Sequence, residues 1–597
     1  MKRGAAVKRG ISTTMVAPML QQPARIQWEK KRWNAARAAG AQGMVPPGAW
    51  SALGGEWHRR FSRSTAREAN DWLRTYKDNL TRGDLYLPCG DGELQSWCDV
   101  RVTECKGIVH SGDATARRVR LLLSVLRRYG MELPRWLMEL AEGHLQPLPG
   151  VEPGDIWPLF ARLTCKRWWR RQARKLTVRA VEAYMRKRGT VAKYRQAYCS
   201  DWAVKNRLAA SERNRLAMEQ ATATNQDGDS YTVAELAGTG QANMVNRRNE
   251  LMTRIRGFEE VAADLGHVGE FWTFTTPSFF HRMRWVKAQK RAEKISKWNE
   301  STPREAQAYL CNCWERVRAS MLRQGIRCYG FRVVEPHHDG TPHWHLLLFF
   351  HPDDVLAARK IARRYLLRVA GHEPGAIGAR FNAKAIDPAK GTASGYIAKY
   401  IAKNIDGAGV HGHLKLQDDD SGLDLGSAAL RVRSWASVWG VRQFQQIGGA
   451  SVTVWRELRR VWAHGEPGKQ ADLFGSDVAE ACGEAANAGD WAAYTMAMGG
   501  ALLPRADRPL KPAYWLEEGL DEETGEILPC YTKTEYGDDR KGSVFGVDIV
   551  GCGFLLTKVY RWVIDWRPQP RASEPRGGEP PGGGFSILAH LCALGLV

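Results

Sequence analysis

The segment 335–351, EPHHDGTPHWHLLLFFH, constrains the fold of this chain more than any other part of the sequence. An Asp-Gly pair at 339–340, typical of tight β-hairpin turns, separates two runs of strand-like sequence. Because successive side chains of a strand point to opposite faces, His343 and His345 share one face and the residue between them faces away. Folding back across the turn brings Glu335 opposite the two histidines. The segment therefore predicts a hairpin with two imidazoles and one carboxylate on one face.

This set of donors suits a divalent cation used as a Lewis acid, with positions left open for substrate and water. Glu335 is the third ligand that we favour, and His338 or Asp339 is the alternative. An isolated pair of histidines is more often hydrogen-bonded at a sheet edge than bound to metal, so the hairpin alone leaves both interpretations open. His337, His338 and His351 are expected at the surface.

A second segment, GYIAKYIAKNIDG at 395–407, has the periodicity of an amphipathic helix. At 100° per residue, Tyr396, Lys399, Tyr400 and Lys403 fall within an arc of about 100°. The isoleucines and alanines lie on the other side, which is the face predicted to be buried, and the final glycine is placed to end the helix. A nearby metal and ammonium groups would favour the phenolate form of tyrosine. The helix therefore suits tyrosine nucleophiles for covalent phosphoryl transfer, and surface packing of the two tyrosines is the alternative.

The charge of the chain predicts a polyanionic partner, most simply nucleic acid, because 87 Lys and Arg residues against 64 Asp and Glu leave a net charge of +23. The segment 162–195 holds thirteen Lys or Arg residues and a single acid, Glu182, with Trp and Tyr interleaved. A solvated helix face is the alternative to a surface that grips phosphates and stacks on bases. The residues predicted to contact DNA are Arg167, Trp168, Trp169, Arg170, Arg171, Arg174 and Lys175.

The pattern along the chain divides it into four regions. Residues 1–50 are expected to be a poorly ordered basic N-terminus, and 51–243 a helical basic region that ends in a linker at 221–243. Residues 244–465 mix helices and strands, and 466–597 form a C-terminal region with a Pro/Gly-rich tail. The 12 cysteines include no CxxC pair, which favours reduced thiols in a cytosolic protein. A zinc site at Cys89, Cys98, Cys105 and His110 stays open as an alternative, although their spacing matches no common zinc pattern.

Three of these segments resemble, in order, the motifs of the HUH endonucleases: the strand FWTFTTPS at 271–278, the paired histidines HWH at 343–345, and the two-tyrosine motif YIAKYIAK at 396–403. Segments 165–175 and 439–460 look like parts of the replication gene A proteins of temperate tailed phages. The chain therefore resembles a rolling-circle replication initiator of that group.

The resemblance implies an α+β fold with a central antiparallel sheet flanked by helices, preceded by a helical basic domain and followed by a smaller C-terminal region. The histidines would lie on a middle strand and hold Mg²⁺ or Mn²⁺ against the scissile phosphate of single-stranded DNA at a replication origin. One tyrosine would attack, stay joined to the DNA 5′ end and free a 3′-OH for synthesis, and the other would cut again after one round. Lys399 and Lys403 would stabilise the phenolate or the phosphate.

The resemblance also implies partners. No GxxxxGK[ST] motif occurs, and the nearest stretch, GEPGKQ at 465–470, lacks the Ser or Thr and the first glycine, so unwinding and synthesis are expected from a host helicase and DNA polymerase in the cytoplasm of a bacterial host. No apolar run approaches the roughly 20 residues of a membrane span. The alternatives are a transposase or relaxase with the same chemistry, and a non-catalytic origin-binding protein whose histidines are structural.

Overall fold

The structure is a computed structural model, and the chain divides into two compact units, Met1–Tyr184 and Met185–Val597. Most of the predicted N-terminal segment 1–50 and all of the Pro/Gly-rich tail lie outside the described residues. The residues that the structure describes are 34–35, 37–42, 49–145, 156–240, 243–286, 289–389, 391–405, 423–464, 476–515, 517–520, 527–530, 532–540, 542–558 and 560–566.

The first unit is built from helices and one very short hairpin, as the helical spacing of its apolar residues leads one to expect. In α4, for example, Leu122, Leu123 and Leu126 lie on the buried side, and Gly130 ends the helix in the left-handed region at φ 65°. The elements are α1 Ala49–Arg63, α2 Ala66–Asn79, β1 Thr81–Arg82, β2 Leu85–Tyr86, α3 Asp91–Val109, α4 Thr115–Tyr129, α5 Arg135–Leu145, α6 Trp157–Leu163 and α7 Lys166–Lys187, the last of which ends in the second unit.

The second unit mixes helices with antiparallel strands. Its helices are α8 Asp201–Gln220, α9 Val233–Thr239, α10 Met244–Asp264, α11 Pro303–Arg323, α12 Val355–Leu366, α13 Ala376–Arg380, α14 Ala393–Ile405, α15 Leu425–Trp439, α16 Val452–His464, α17 Asp477–Ala488 and α18 Trp491–Ala497. Its strands are β3 Thr222–Thr224, β4 Ser230–Thr232, β5 Val268–Thr275, β6 Met283–Val286, β7 Arg291–Lys294, β8 Tyr329–Pro336, β9 Pro342–Phe350, β10 Phe381–Ala385, β11 Phe444–Ile447, β12 Leu510–Tyr514, β13 Glu517–Leu520, β14 Ile527–Cys530, β15 Thr532–Lys533, β16 Asp539–Arg540, β17 Val544–Ile549, β18 Gly553–Leu556 and β19 Val563–Asp565.

A five-stranded antiparallel sheet in the order β10-β5-β9-β8-β11 lies at the centre of this unit. Strand β9, which carries the paired histidines, is the middle strand. Glu335 on β8 pairs directly with His343 on β9, and Thr273 on β5 pairs with His345 from the other side. The predicted mixture of helices with an antiparallel sheet is confirmed, and so is the register of the hairpin.

Alternation along β9 separates the two faces of the sheet. Trp344 is fully buried on one face, where its Nε1 donates to Gln307 Oε1 of α11 over 2.9 Å. On the other face, side chains of β8 and β9 pack against helices α10, α14, α16, α17 and α18 in one core. Members of this core include Phe258, Phe331, Val333, Leu347, Phe349, Ile397, Ile401, Trp455, Cys482 and Trp491. The histidines therefore lie on the face that α14 covers.

Two expectations about the organisation of the chain change with the structure. Residues 221–243, predicted as a linker, instead contain β3, β4 and the capped helix α9, whose Thr232 hydroxyl accepts a hydrogen bond from the Glu235 amide. Helices α17 and α18 of the predicted C-terminal region belong to the same core as the sheet. Small polar residues favoured a linker, but strand pairing and a helix cap give this segment regular structure. Among the helices that the structure describes, none is long and apolar enough to cross a membrane.

Candidate active site

Glu335, His343 and His345 form the candidate metal centre, because each offers one ligand atom and these atoms lie within 4.8 Å of one another. The Nε2 atoms of the two histidines are 2.9 Å apart, and His345 Nε2 is 3.9 Å from Glu335 Oε2. In the part of the chain that the structure describes, this is the one group of three such side chains that converge. The predicted convergence is confirmed, with Glu335 as the third member.

The chemistry of these donors fits a divalent cation. Glu335 is 2% exposed and His345 is 7% exposed, so both ligand groups are largely withdrawn from water. A carboxylate at a buried position requires compensating charge or hydrogen bonds. Imidazole nitrogen together with carboxylate oxygen is a donor set that divalent metals accept. The residues present therefore fit a divalent cation, and its assignment to Mg²⁺ or Mn²⁺ remains a prediction.

Asn404 is a site residue that the sequence did not single out. Its Nδ2 donates to Glu335 Oε1 over 2.5 Å and to the main-chain oxygen of Tyr400 over 2.6 Å. Gln443 Nε2 donates in turn to Asn404 Oδ1 over 2.8 Å. At 1% exposure, Asn404 is a polar residue in the apolar face of α14. This polar residue in an apolar face, next to Ile405, is the sequence feature from which Asn404 could have been identified as a site residue.

His345 is oriented by its neighbours on β5 and α14. Thr273 Oγ1 lies 3.2 Å from His345 Nδ1, which leaves Nε2 on the side of the other ligand atoms. Phe271 stacks on the imidazole with ring centroids 5.5 Å apart. The ring of Tyr400 lies on it with a centroid distance of 4.1 Å. One of the two candidate nucleophiles therefore contacts a candidate metal ligand.

The tyrosine helix α14 has the predicted orientation. Its isoleucines are buried at 0–3% exposure, whereas Tyr396 and Tyr400 are half-buried. The ring of Tyr396 lies 6.3 Å from that of Phe271, so both tyrosines are on the side of the metal residues. The side chains of Lys399 and Lys403 lie outside the described residues, and their roles stay predictions. The predicted stop at Gly407 also falls outside the residues described.

A carboxylate fixes the beginning of α14. Glu259 of α10 accepts hydrogen bonds from the main-chain amides of Ala393 over 2.6 Å and Ser394 over 3.2 Å. An acidic group at the first turn satisfies unpaired amides and complements the helix dipole. The same helix is fixed near its end by Asn404, so it is anchored at both ends.

The hairpin turn corrects the prediction that His337 and His338 are surface residues. Both are half-buried: the His337 ring lies 4.2 Å from that of His343 and 4.9 Å from that of His281, and His338 stacks on Tyr198 at 5.6 Å. Desolvation, and then the charge of His281, lowers the pKa of His337 to about 3, so its imidazole is neutral near pH 7.

Two further predictions for this segment are resolved. The His351 side chain is 57% exposed, as expected for a surface residue. Asp339, an alternative third ligand, is engaged elsewhere: it accepts from the amides of Arg282 over 2.8 Å and Thr341 over 3.0 Å, and it lies 3.6 Å from Arg186. Burial alone would raise the pKa of Asp339, but His281 and Arg186 lower it overall. The alternative of an Asp339 ligand is therefore wrong.

A groove of about 660 Å³ opens beside the metal residues, where Thr275 and His337 are part of its lining. Its basic lining residues are Lys193, Arg284, Lys294, Lys297 and Arg380. At its side, Tyr194 is 59% exposed and packs edge-on against Trp285 at 4.9 Å, with Lys193 Nζ 5.2 Å from the Tyr194 ring. An aromatic pair with ammonium and guanidinium groups is what a single strand requires for stacking and phosphate contact.

In the first unit, the prediction that Trp168 and Trp169 offer their faces to bases is wrong. They are 5% and 0% exposed, and Trp169 Nε1 donates to the Leu163 carbonyl over 2.8 Å. The ring of Trp169 also packs against that of Trp97 at 5.8 Å. The sequence showed a basic helix, but the side of it that enters the core depends on the tertiary packing of the unit.

The basic residues of the same helix fall into two groups. Arg170 and Arg174 are partly exposed and pair with Asp91 at 3.2 and 2.6 Å. Arg167, Arg171 and Lys175 are exposed and follow one another at intervals of four residues, which places them along one helix face. Contact between this face and DNA remains a prediction.

The three cysteines considered for zinc do not form a metal-type group with other ligands among the residues that the structure describes. Cys98 and Cys105 are buried in α3, and Cys89 is half-buried. Burial raises the pKa of the Cys105 thiol to about 12 and that of Cys98 to about 11. These thiols are therefore protonated near pH 7.

Comparison with known proteins gives the class to which this arrangement corresponds. Residues 134–408 match the family described as "Bacteriophage replication gene A protein (GPA)", so this part of the chain is similar to the phage replication gene A proteins. The matched range includes the paired histidines, Glu335 and both tyrosines. The resemblance predicted from the motifs is confirmed.

Individual relatives agree with that class. The chain is 38% identical to the "Replication gene A protein" of Escherichia phage 186 over 434 residues, which are 72% of this chain and 59% of that protein. It is 36% identical to the "Replication protein" of Haemophilus phage HP1 over 445 residues, which are 74% of this chain and 52% of that protein. It is 34% identical to the "Probable replication endonuclease from prophage-like region" of Salmonella paratyphi A over 369 residues, which are 61% of this chain and 45% of that protein.

The chain spans about half to three fifths of the length of these relatives. No solved structure matches it.

Proposed function

We propose that this protein is a replication-initiation endonuclease that nicks one DNA strand by tyrosine attack and remains joined to the new 5′ end. The observation that carries the proposal is the contact between Tyr400 and His345, whose ring centroids are 4.1 Å apart. Tyr400 lies on helix α14, which the hydrogen bond from Asn404 to Glu335 connects to the candidate metal centre. A candidate nucleophile therefore lies next to a candidate cation site. The names of the relatives, which refer to replication and to endonuclease activity, support the same interpretation.

In the proposed reaction, the phenol oxygen of a tyrosine attacks the scissile phosphorus and loses its proton. The new O–P bond replaces the bond from phosphorus to the 3′ oxygen, which leaves and takes up a proton to become a 3′-OH. The number of phosphodiester bonds is conserved, so the step is a transfer and consumes no water. Attack of a 3′-OH on the phosphotyrosine reverses these changes and reseals the strand.

The chain's own residues would prepare this step. A divalent cation, Mg²⁺ or Mn²⁺, held by Glu335, His343 and His345 would neutralise the charge that develops on the phosphate oxygens. Thr273 orients His345 through Nδ1, and Asn404 orients Glu335 through Oε1. Lys399 and Lys403, one on each turn beside the tyrosines, are proposed to favour the phenolate.

Two tyrosines on one helix suit an alternating cycle. Residues four apart on a helix are neighbours, with Cβ atoms about 5–6 Å from each other. While Tyr396 or Tyr400 is esterified to DNA, the other remains available for the next cut. Both tyrosines would reach the same phosphate by side-chain movement alone. The helix backbone would not move, because it is held at Glu259 and Asn404.

The groove beside the metal residues is the proposed path of the single strand. Tyr194 and Trp285 would offer aromatic faces, and Lys193, Arg284, Lys294 and Lys297 of the lining would contact phosphates, whereas Arg380 is buried and paired with Glu373. The strand belongs to a replication origin in this proposal, and a host helicase and DNA polymerase would extend the freed 3′-OH in the host cytoplasm. The basic face of α7 would add affinity that does not depend on sequence.

The test is covalent capture. The full chain is incubated with Mn²⁺ and a 5′-labelled or 3′-labelled single-stranded oligonucleotide from the origin region, and the products are separated under denaturing conditions. We expect a protein adduct with the 3′-labelled fragment alone, and mass spectrometry should place the nucleotide on Tyr396 or Tyr400. Binding without metal-dependent cleavage would contradict the proposal and favour a non-catalytic origin-binding protein.

A further inference from the structure

We infer that a second groove, at the other end of β8 from the metal centre, binds the phosphate backbone of a DNA strand. The groove has a volume of about 960 Å³ and runs along the edge strand β11. The assignment of the phosphates to DNA rests on the proposed function. The assignment of an anion site rests only on the residues that line the groove. The five basic residues of its lining are Arg318, Arg327, Arg442, Arg505 and Arg508.

The charge of this groove is of one sign. Its lining contains five arginines and neither an acidic nor an aromatic side chain. Arg318, Arg327, Arg442 and Arg505 are exposed, so their guanidinium groups are available to a ligand that approaches from solvent. Guanidinium groups present several donors in a planar fork that matches phosphate oxygens. This composition fits a polyanion that is gripped through phosphates and not through bases.

Arg508 gives the independent evidence for an anion. Its side chain is buried at 4% exposure, and Nη2 donates to the Leu503 carbonyl over 2.8 Å. Nη1 is buried and has no hydrogen-bond partner, and no carboxylate pairs with this arginine among the residues that the structure describes. Burial lowers the pKa of Arg508, and the electrostatic interaction with Tyr494 offsets this only in part. A phosphate oxygen in the groove would supply both the missing acceptor and the missing charge.

The loop after β11 lines the same groove. Gly448 and Gly449 have φ values of 61° and 69°, in the left-handed region that favours glycine. A Cβ on Gly449 would lie 2.2 Å from Cζ of Phe258, so a side chain has no room there. The loop leads through Ser451 into α16, whose first residues line the groove. The N-terminal end of a 13-residue helix adds partial positive charge to the arginines.

The position of the groove makes it a contact separate from the metal centre. Ile447 pairs with Gly330 at one end of β8, whereas Glu335 lies at the other end. Five residues of strand correspond to about 17 Å, so a single phosphate cannot reach both places. The spread of the arginines over α11, the following loop, the approach to β11 and the segment after α18 favours several phosphates of one strand over a single free phosphate.

The first test uses the salt dependence of binding. The full chain and the double variant Arg318→Gln/Arg327→Gln are titrated with a single-stranded 30-mer of thymidine between 50 and 200 mM salt. We expect the slope of log K against log salt to fall by about 1.4, since removal of each phosphate contact on a single strand changes it by about 0.7. The matched control removes two exposed arginines elsewhere in the unit, Arg215→Gln/Arg256→Gln, and should leave the slope unchanged.

The second test separates a bound strand from free phosphate. In Arg508→Met, the buried charge is replaced by an apolar chain of similar length, so the melting temperature without ligand should stay equal or rise. The variant should bind the 30-mer several-fold more weakly than the wild type. A melting temperature that falls, together with unchanged DNA affinity, would assign Arg508 a purely structural role and overturn the inference.

Inorganic phosphate distinguishes a bound strand from a single free anion. If millimolar phosphate stabilises the wild type, and both arginine variants keep the wild-type slope of log K against log salt for DNA, the assignment of the groove to DNA is overturned.

Neither measurement involves cleavage. If the proteins bind DNA with the expected salt dependence and the wild type never forms a covalent adduct, the proposed nicking is refuted and DNA binding at the groove is not. If the wild type nicks normally and both arginine variants keep the wild-type slope of log K against log salt, DNA binding at the groove is refuted and the proposed nicking is not.

Discussion

Asn404 on the tyrosine helix donates its side-chain amide to Glu335 on the neighbouring strand, over 2.5 Å. The same amide group reaches the Tyr400 carbonyl, so one side chain fixes a candidate metal ligand and the backbone of a candidate nucleophile. Asn404 contacts neither DNA nor the reacting atoms in the proposed reaction, and it is therefore a positioning residue.

We predict that Asn404→Ala raises the metal concentration needed for half-maximal nicking by about 10–100-fold, the usual effect of losing a partner that orients a metal ligand. The measurement is a Mn²⁺ titration of nicking. Asn246→Ala, which removes an amide that donates to the Thr239 carbonyl and not to a residue of the site, is the control. A lower rate at saturating metal with an unchanged midpoint would contradict the orienting role.

Removal of either paired histidine should abolish nicking and leave DNA binding intact. His343 and His345 have their Nε2 atoms 2.9 Å apart and share the site with Glu335, so loss of one imidazole removes a ligand without removing a basic groove. Nicking and binding are measured on the same oligonucleotide for His343→Ala and His345→Ala. His351→Ala, at an exposed position, should behave as the wild type. Undiminished nicking in either test variant would refute the metal assignment.

Single Tyr→Phe variants of the helix should be unequal. One of Tyr396→Phe and Tyr400→Phe should stop the first cut, whereas the other should permit the first cut and block transfer. The double variant should form no covalent adduct, because Phe keeps the ring and lacks the nucleophilic oxygen. Denaturing gels of labelled oligonucleotide measure both steps, with Tyr365→Phe as the control. An adduct in the double variant would place the nucleophile on another element.

The turn that carries the histidine hairpin should depend on Asp339. Arg186 and Asp339 are 2% and 3% exposed, and Arg186 also donates to Thr341 Oγ1 over 2.7 Å. Asp339→Asn leaves a buried guanidinium without its carboxylate and should lower stability near pH 7 by about 3–5 kcal/mol. Denaturant unfolding measures the change, and Asp353→Asn, at a 90% exposed side chain, is the control.

The same pair predicts a dependence on pH. The pKa of Asp339 is lowered in the folded protein, so its contribution is present above the ordinary value of about 4 and is lost as the pH falls below it. The wild type should therefore lose stability on acidification more steeply than Asp339→Asn. Parallel acid profiles for the two proteins would contradict the lowered pKa.

The exposed face of α7 should contribute affinity without sequence preference. Replacing Arg167, Arg171 and Lys175 with Gln should lower the slope of log K against log salt by about 0.7 for each phosphate contact that the substitutions remove. The matched variant Arg170→Gln/Arg174→Gln should have a smaller effect, since both arginines already pair with Asp91. Equal slopes for wild type and the triple variant would indicate an ordinary solvated face.

Local periodicity explains how much of the site the sequence predicts. Alternation along a strand placed His343 and His345 on one face, and a two-residue turn signal placed Glu335 opposite them, as the register confirms. Helical spacing likewise predicted the burial of Ile397 and Ile401. These patterns repeat within a few residues, so short-range rules are sufficient to interpret them.

Features that depend on distant residues could not be predicted in this way. The burial of Trp168 and Trp169 depends on which side of α7 enters the core, and a run of basic residues does not specify that side. Asn404 acquires its role from Glu335, 69 positions earlier in the chain. The arginine groove combines residues from Arg318 to Arg508, which no local pattern relates.

The hydrogen bond from Asn404 ends on the main-chain oxygen of Tyr400 and leaves the phenol ring outside this restraint. This hydrogen bond therefore restrains the helix backbone and does not itself restrain rotation about the side-chain bonds of Tyr400, whose ring packs on His345 and Phe271. Rotamer exchange of accessible side chains takes picoseconds to nanoseconds, whereas enzymes commonly turn over at about 10 s⁻¹. In the proposed cycle, exchange of one phenol for the other would thus be too fast to set the rate. In the proposed reaction, the slower passage of DNA would then set the rate of the cycle.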